Sequence, residues 1–354
     1  MKKDNKLKKK NLKKKVESVK KKNFNLMLLV TFFLGVLLIF SAYAWFYASL
    51  DVQVKFVNLV VSKKNGLFIS LDGVDFGSTV QISEESLIDN LKRTYPNNTS
   101  QWAKMGLYPI SSKGIPHPDT AEFEMYFANN VDVDPVSSKS YISTRKSVEH
   151  GIDPSKNYIA FDLFLKNVTG SPVSDNLYID EGTNIMVDAG GGEQVDALIN
   201  SARIGFVRIG TVSNKASIDE IQNMKCNNNC EMVIYEPNAT NHTDLSIERA
   251  KKYGIELLDG QYFPTYAITG QMDFFELTEF ISLQSPSENF ELQITKVDTA
   301  TPIFELPDGI TKLRVYVWLE GQDIDSIETR SEGADVSIAI NLIKDTAGFD
   351  AFNK

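Results

Sequence analysis

Two cysteines, three histidines and a scatter of carboxylates are what the 354-residue sequence offers for chemistry. Cys226 and Cys230 bracket an Asn-Asn-Asn run, a spacing that suits a loop-closing disulfide in an oxidising compartment. A zinc site needs four ligands, and His242 is the only histidine nearby. A disulfide is therefore expected, ahead of free thiols or a metal site. The pairs Asp72/Asp75, Asp132/Asp134 and Asp323/Asp325 have a spacing that can aim two carboxylates at one calcium ion. Glu320 adds a third carboxylate to the last pair, so Glu320, Asp323 and Asp325 are the favoured calcium candidate. No complete calcium-loop signature accompanies them, and solvated turn carboxylates are the plainer expectation. No other cofactor is expected.

Catalytic signatures are absent. The chain has no G-x-S-x-G, no H-E-x-x-H and no phosphate-binding glycine loop. The three glycines of Asp188–Gln194 lack the Lys-Ser/Thr of a P-loop and read as a turn. A carboxylate pair about 5–10 Å apart could hydrolyse glycosides, but among 46 acidic residues some pair always meets that distance. No catalytic residue is assigned. Tyr316 and Trp318 share one face of a strand whose other face is aliphatic. They could form a carbohydrate platform or subunit contact, or lie in a strand buried on both faces. Five N-x-[ST] sequons, at Asn97, Asn98, Asn167, Asn238 and Asn241, matter only in a eukaryotic secretory path.

Charge placement says where such groups would work. Residues 1–22 hold 12 Lys against Asp4 and Glu17, a net +10; the whole chain is −9, so the remainder is −9 − 10 = −19. An acidic body repels polyphosphate, so nucleic acid is not an expected partner. Between head and body, Phe24–Tyr47 carries no charge over 24 residues. As a helix it would span about 36 Å at about 1.5 Å per residue, enough for a hydrocarbon core of about 30 Å. Lysines before it and acid after it fit a cytoplasmic N-terminus, with the bilayer as partner of residues 24–47. Ala42 and Ala44 form an A-x-A cleavage candidate directly after the apolar run. Retained anchor and cleavage after Ala44 both stay open. Either way the body is expected outside the cytoplasm, at the cell surface or secreted.

The segment "FSAYAWFYASLDVQVKFVNLVV" resembles the export signal and first strand of the camelysin/TasA class of Gram-positive surface proteins. Ala42-Tyr43-Ala44, Trp45-Phe46 and an alternating strand from Val52 match that layout over residues 24–61. A late "VYVWLEGQD", Val315–Asp323, is similar to uncharacterised Firmicutes surface proteins. Asp51 comes later than the family's usual acidic residue, and the body is longer than in the short fibre-forming members. The resemblance implies an envelope, matrix or adhesion component that self-associates by donating the strand Asp51–Val61 to a neighbour, or contacts a cell-wall polymer.

The elements that must position these groups read as mainly β. Period-two alternation recurs at Val52–Phe56, Leu67–Leu71, Ile159–Leu165, Leu292–Ile294, Leu313–Leu319 and Val336–Leu342. Helices are predicted in "SEESLIDNLKRTY" with Ser83 as N-cap, in "TDLSIERAKKYG" between Thr243 and Gly254, and in "EQVDALINSA". Tyr95–Ser112, Asn129–Asp153 and Ser213–Thr243 are expected as long polar loops. The expected organisation is a basic segment at 1–22, a membrane helix or signal at 23–48, and an extracytoplasmic, jelly-roll-like β-sandwich at 49–354 with insertions around 170–290.

Overall fold

A computed structural model describes residues 55–63, 67–103, 107, 109–117, 121–133, 140–147, 157–169, 172–187, 193–226, 230–258, 260–269, 275–277, 290–326 and 335–346. The basic head, the apolar segment and the cleavage candidate Ala42/Ala44 lie outside the described residues. Among the described residues no helix is long and apolar enough to cross a membrane. The described residues fall within one compact unit, Val52–Lys354, which is mainly β.

In chain order its elements are β1 (Lys55–Lys63), β2 (Phe68–Ser70), β3 (Thr79–Ile82), a π-helical turn α1 (Glu85–Asn90) running into α2 (Leu91–Thr94), β4 (Pro109–Pro116), β5 (Phe123–Val133), β6 (Ser140–Ser147) and β7 (Ile159–Asn167). There follow β8 (Asp175–Ile179), β9 (Asn184–Val187), α3 (Glu193–Asn200), β10 (Ala202–Val212), α4 (Ile218–Gln222), β11 (Met232–Tyr235) and α5 (Asp244–Tyr253). The rest are β12 (Tyr266–Ile268), β13 (Phe275–Leu277), β14 (Phe290–Leu292), β15 (Thr295–Lys296), β16 (Phe304–Leu306), β17 (Gly309–Glu320) and β18 (Asp335–Thr346).

The six-stranded sheet runs β16-β8-β18-β1-β3, with β9 also on β18. β1 lies inside it, parallel to β18 on one side and antiparallel to β3 on the other. The ten-stranded sheet runs β13-β6-β5-β4-β17-β10-β11-β15, with β7 and β2 attached at β17. β17 is its centre: β10 flanks its whole length, and β7 and then β4 share the other edge. Residues 170–290, expected as an insertion, instead supply β8 and β9 to one sheet and β10 and β11 to the other. β10 hid because both its faces are buried, which erases alternation.

Alternation places the core. Leu177, Ile179, Ile338, Ile340 and Leu342 of the six-stranded sheet join Phe161, Leu163, Leu165, Ile204, Phe206, Leu313, Val315 and Val317 of the ten-stranded one in a single buried cluster. Each such side chain contributes about 1.5–3 kcal/mol by leaving water. The other parity of β17, Tyr316 and Trp318, joins a second cluster with Ile110, Phe123, Met125, Tyr158 and Val207. Gly205 permits this: a Cβ there would stand 3.1 Å from the Trp318 ring.

The helices have readable caps. Thr243 Oγ1 accepts from Ser246 N, and Gly254 ends α5 in the left-handed region at φ 66°. Ser83 and Ser86 bond reciprocally, Ser83 N to Ser86 Oγ at 2.7 Å and Ser86 N to Ser83 Oγ at 3.2 Å. The stretches expected as loops hold β4, β6, β11 and α4. α4 starts with a complete capping box between Ser217 and Glu220.

Candidate functional site

Among the described residues the buried charged side chains include three clusters, set on strands or just past their ends. The first surrounds Arg203, at the start of β10 and fully buried. Its guanidinium lies 3.1 Å from Glu236 Oε1, bonds the Asp323 carboxylate, and donates to Thr265 Oγ1 at 3.1 Å. A buried ion must be compensated in place, and here two carboxylates do so. Glu320 ends β17 and accepts from Trp318 Nε1 at 3.0 Å, Ser112 N at 3.3 Å and Gln293 Nε2 at 3.3 Å. Asp325 meets His242 Nδ1 at 2.7 Å and accepts from Thr243 N at 3.1 Å, so it caps the entry to α5. Burial pushes Glu236 up to about 7 despite Arg203. It raises Glu320 and Asp323 in the same direction.

The calcium candidate therefore does not assemble. Glu320, Asp323 and Asp325 turn to Trp318, Arg203 and His242 rather than to a common point. Among the described residues no group of three or more His, Cys, Asp or Glu is placed to hold a metal ion. Asp72 is likewise committed to its own turn, accepting from Val74 N at 2.9 Å and Asp75 N at 3.0 Å. The side chain of Asp132 and all of Asp134 lie outside the described residues.

The aromatic candidate is also corrected. Tyr316 and Trp318 are both 0% exposed, so neither is a surface contact. Phe123 packs edge-on against Trp318 at 5.2 Å and against Tyr316 at 5.5 Å. The β4–β5 arm, which the alternation alone did not reveal, covers this face.

Cys226 and Cys230 form a disulfide with an S–S distance of 2.00 Å. It pads the second cluster and walls an open cleft of about 930 Å³, shared with the far end of β10 and with α4.

The second buried site is Asp162 on β7. Lys312 Nζ lies 3.2 Å from it and Arg314 Nε 2.9 Å, while Tyr95 donates its hydroxyl at 2.8 Å. Burial alone would raise this carboxyl; the Arg314 and Lys312 cations overcome it and hold Asp162 at about 2. Burial and the neighbouring Asp162 charge push the Tyr95 hydroxyl well up.

The third site was not anticipated. Lys344 of β18 places Nζ 2.8 Å from Asp175 Oδ2 and 2.6 Å from Asn167 Oδ1. Asn167 is fully buried and Asp175 1% exposed. Strand parity carries the signal for it. Lys344 follows Ile338, Ile340 and Leu342, Asn167 follows Leu163 and Leu165, and Asp175 precedes Leu177 and Ile179, each at a core-facing position.

No protein-family model, no curated protein and no solved structure matches the chain. The three buried sites thus stand on their own geometry.

Proposed function

We propose that the chain is a non-enzymatic protein of the outer cell surface, an envelope, matrix or adhesion component. In this reading its body is an extracytoplasmic β-sandwich, held by residues 24–47 or released after Ala44. The observation that carries it is the order of parts: a +10 head, 24 uncharged residues, then an acidic, mainly β body. The resemblance of residues 24–61 to camelysin/TasA-type proteins supports the same reading.

The route of self-association takes a different form from simple donation of Asp51–Val61. β1 already has a partner on each side, and the path through its sheet ends at β16 and β3. Assembly by strand addition would extend from those ends, or exchange β1 for the β1 of another copy between β18 and β3. Removing residues 55–63 takes out an inner strand, so it is expected to abolish the folded monomer as well as any polymer. A glycan-binding face at Trp318 is not proposed, since that ring is enclosed.

The test is to express the full chain in a Gram-positive host and to fractionate medium, membrane and cytosol, sequencing the N-terminus in each. The proposal expects either Trp45 as first residue in the medium or an intact chain released from membranes only by detergent. An intact chain recovered from the cytosol without detergent would overturn it.

A further inference from the structure

We propose that Lys344 and Asn167 become joined by an isopeptide bond that the folded chain forms on itself, with Asp175 as the acid–base group. The site has the three parts such a reaction needs. Lys344 Nζ is the nucleophile, 2.6 Å from Asn167 Oδ1, with the amide carbon one bond beyond. Asn167 is the acyl donor. Asp175 Oδ2 stands 2.8 Å from the same Nζ, within direct proton-transfer reach. All three are enclosed: Asn167 is 0% and Asp175 1% exposed, and the Lys344 side chain only 12%.

The amide is held for attack. Asn167 Nδ2 donates to Leu306 O at 3.0 Å and to Pro307 O at 3.3 Å. Two carbonyl acceptors on one side require the NH2 group there, which turns Oδ1 toward the lysine. Neighbouring strands fix the other two groups. Lys344 lies opposite Leu177 in the β18–β8 register, two residues from Asp175, and Asn167 ends β7 in the other sheet, opposite Gly309. Positioning of this kind replaces a bimolecular encounter and supplies much of the rate.

The step balances without any added reactant. Asp175 takes a proton from the Lys344 ammonium, and the freed amine attacks Asn167 Cγ, forming the C–N bond and pushing the carbonyl pair onto Oδ1. Asp175 then passes that proton to Nδ2 as the tetrahedral centre collapses and the Cγ–Nδ2 bond breaks, and the second proton of the attacking nitrogen goes to the departing ammonia. The products are a secondary amide and one ammonium ion, with Asp175 returned as carboxylate. Nothing is oxidised or reduced. The residues joined are 177 apart in sequence, so the bond ties the last described strand of one sheet to the other sheet.

The test is mass spectrometry on the full-length chain, purified folded, then denatured, reduced and digested with trypsin. The proposal predicts a branched peptide joining Asn167 to Lys344, lighter than its two parts by one ammonia, about 17 Da, with no cleavage after Lys344. Linear, unmodified peptides carrying Asn167 and Lys344 as the main species would overturn it. The Lys344→Arg variant must keep Asn167 at full mass; ammonia lost there without the lysine would mean cyclisation of the asparagine on its own backbone, and would overturn the proposal. Asp175→Asn should slow the cross-link about 100-fold or more while the disulfide and near-ultraviolet dichroism persist. Wild-type cross-linking in that variant would remove Asp175 from its role.

Discussion

Two buried ion clusters lie on β17 and its neighbours, and they are mirror images in charge. At Asp162 one carboxylate faces two cations, Lys312 and Arg314. At Arg203 one cation faces two carboxylates, Glu236 and Asp323. Burial pushes the carboxyl up in both places. Cation count decides the outcome: Asp162 is held at about 2, whereas Glu236 rises to about 7. Two cations keep the Asp162 carboxylate ionised, whereas burial brings Glu236 up toward neutral pH.

Removing the scarce partner should break each cluster, most severely where the excess is negative. Arg203→Met leaves Glu236 and Asp323 buried without their cation and should cost about 3–5 kcal/mol, read as a lower urea midpoint. Asp162→Asn strands Lys312 and Arg314, whose side chains are 8% and 11% exposed. It should cost about 1.5–3 kcal/mol in the same measurement.

Proton linkage sharpens the contrast. Asp162 is depressed in the folded state, so its contribution is present above the unfolded value of about 4 and is lost as pH falls toward about 2. Glu236 is raised, so the folded state binds the extra proton. Its contribution is full below the unfolded value of about 4.3 and is lost as pH rises through about 7. Denaturation curves of Glu236→Gln and wild type should diverge across pH 4–7, the variant showing the flatter profile; parallel profiles would refute the assignment. The smallest effect is expected at the disulfide, whose sulfurs are joined across a separation of only four residues. Its reduction should lower stability by at most about 2 kcal/mol.

Half of this was legible from residue order. Alternation revealed β7, β17 and β18, and Thr243 with Gly254 framed α5, because one strand face and one cap are local properties. Trp318 shows the limit. Alternation says which residues share a face, and a second layer over that face, here Phe123 and Met125, is a matter of tertiary contact. β10 escaped for the same reason. α4 was readable: Ser217 and Glu220 have the capping-box spacing, concealed by the polar residues around them. Glu320, Asp323 and Asp325 were singled out as a group, but the cation that separates them, Arg203, lies more than a hundred residues away. Lys344 and Asp175 carried a signal that alternation should have raised, polar groups on core-facing parity, and their meeting with Asn167 needed the sheets to be stacked.

The central claim is that the acidic β body faces the outside of the cell. It is tested most directly by adding trypsin to intact Gram-positive cells expressing the full chain with a C-terminal tag, under conditions that leave a cytoplasmic marker whole. The account predicts that the tag is lost from intact cells, or is found already in the medium on a chain that begins at Trp45. A tag protected until the cells are lysed would contradict it.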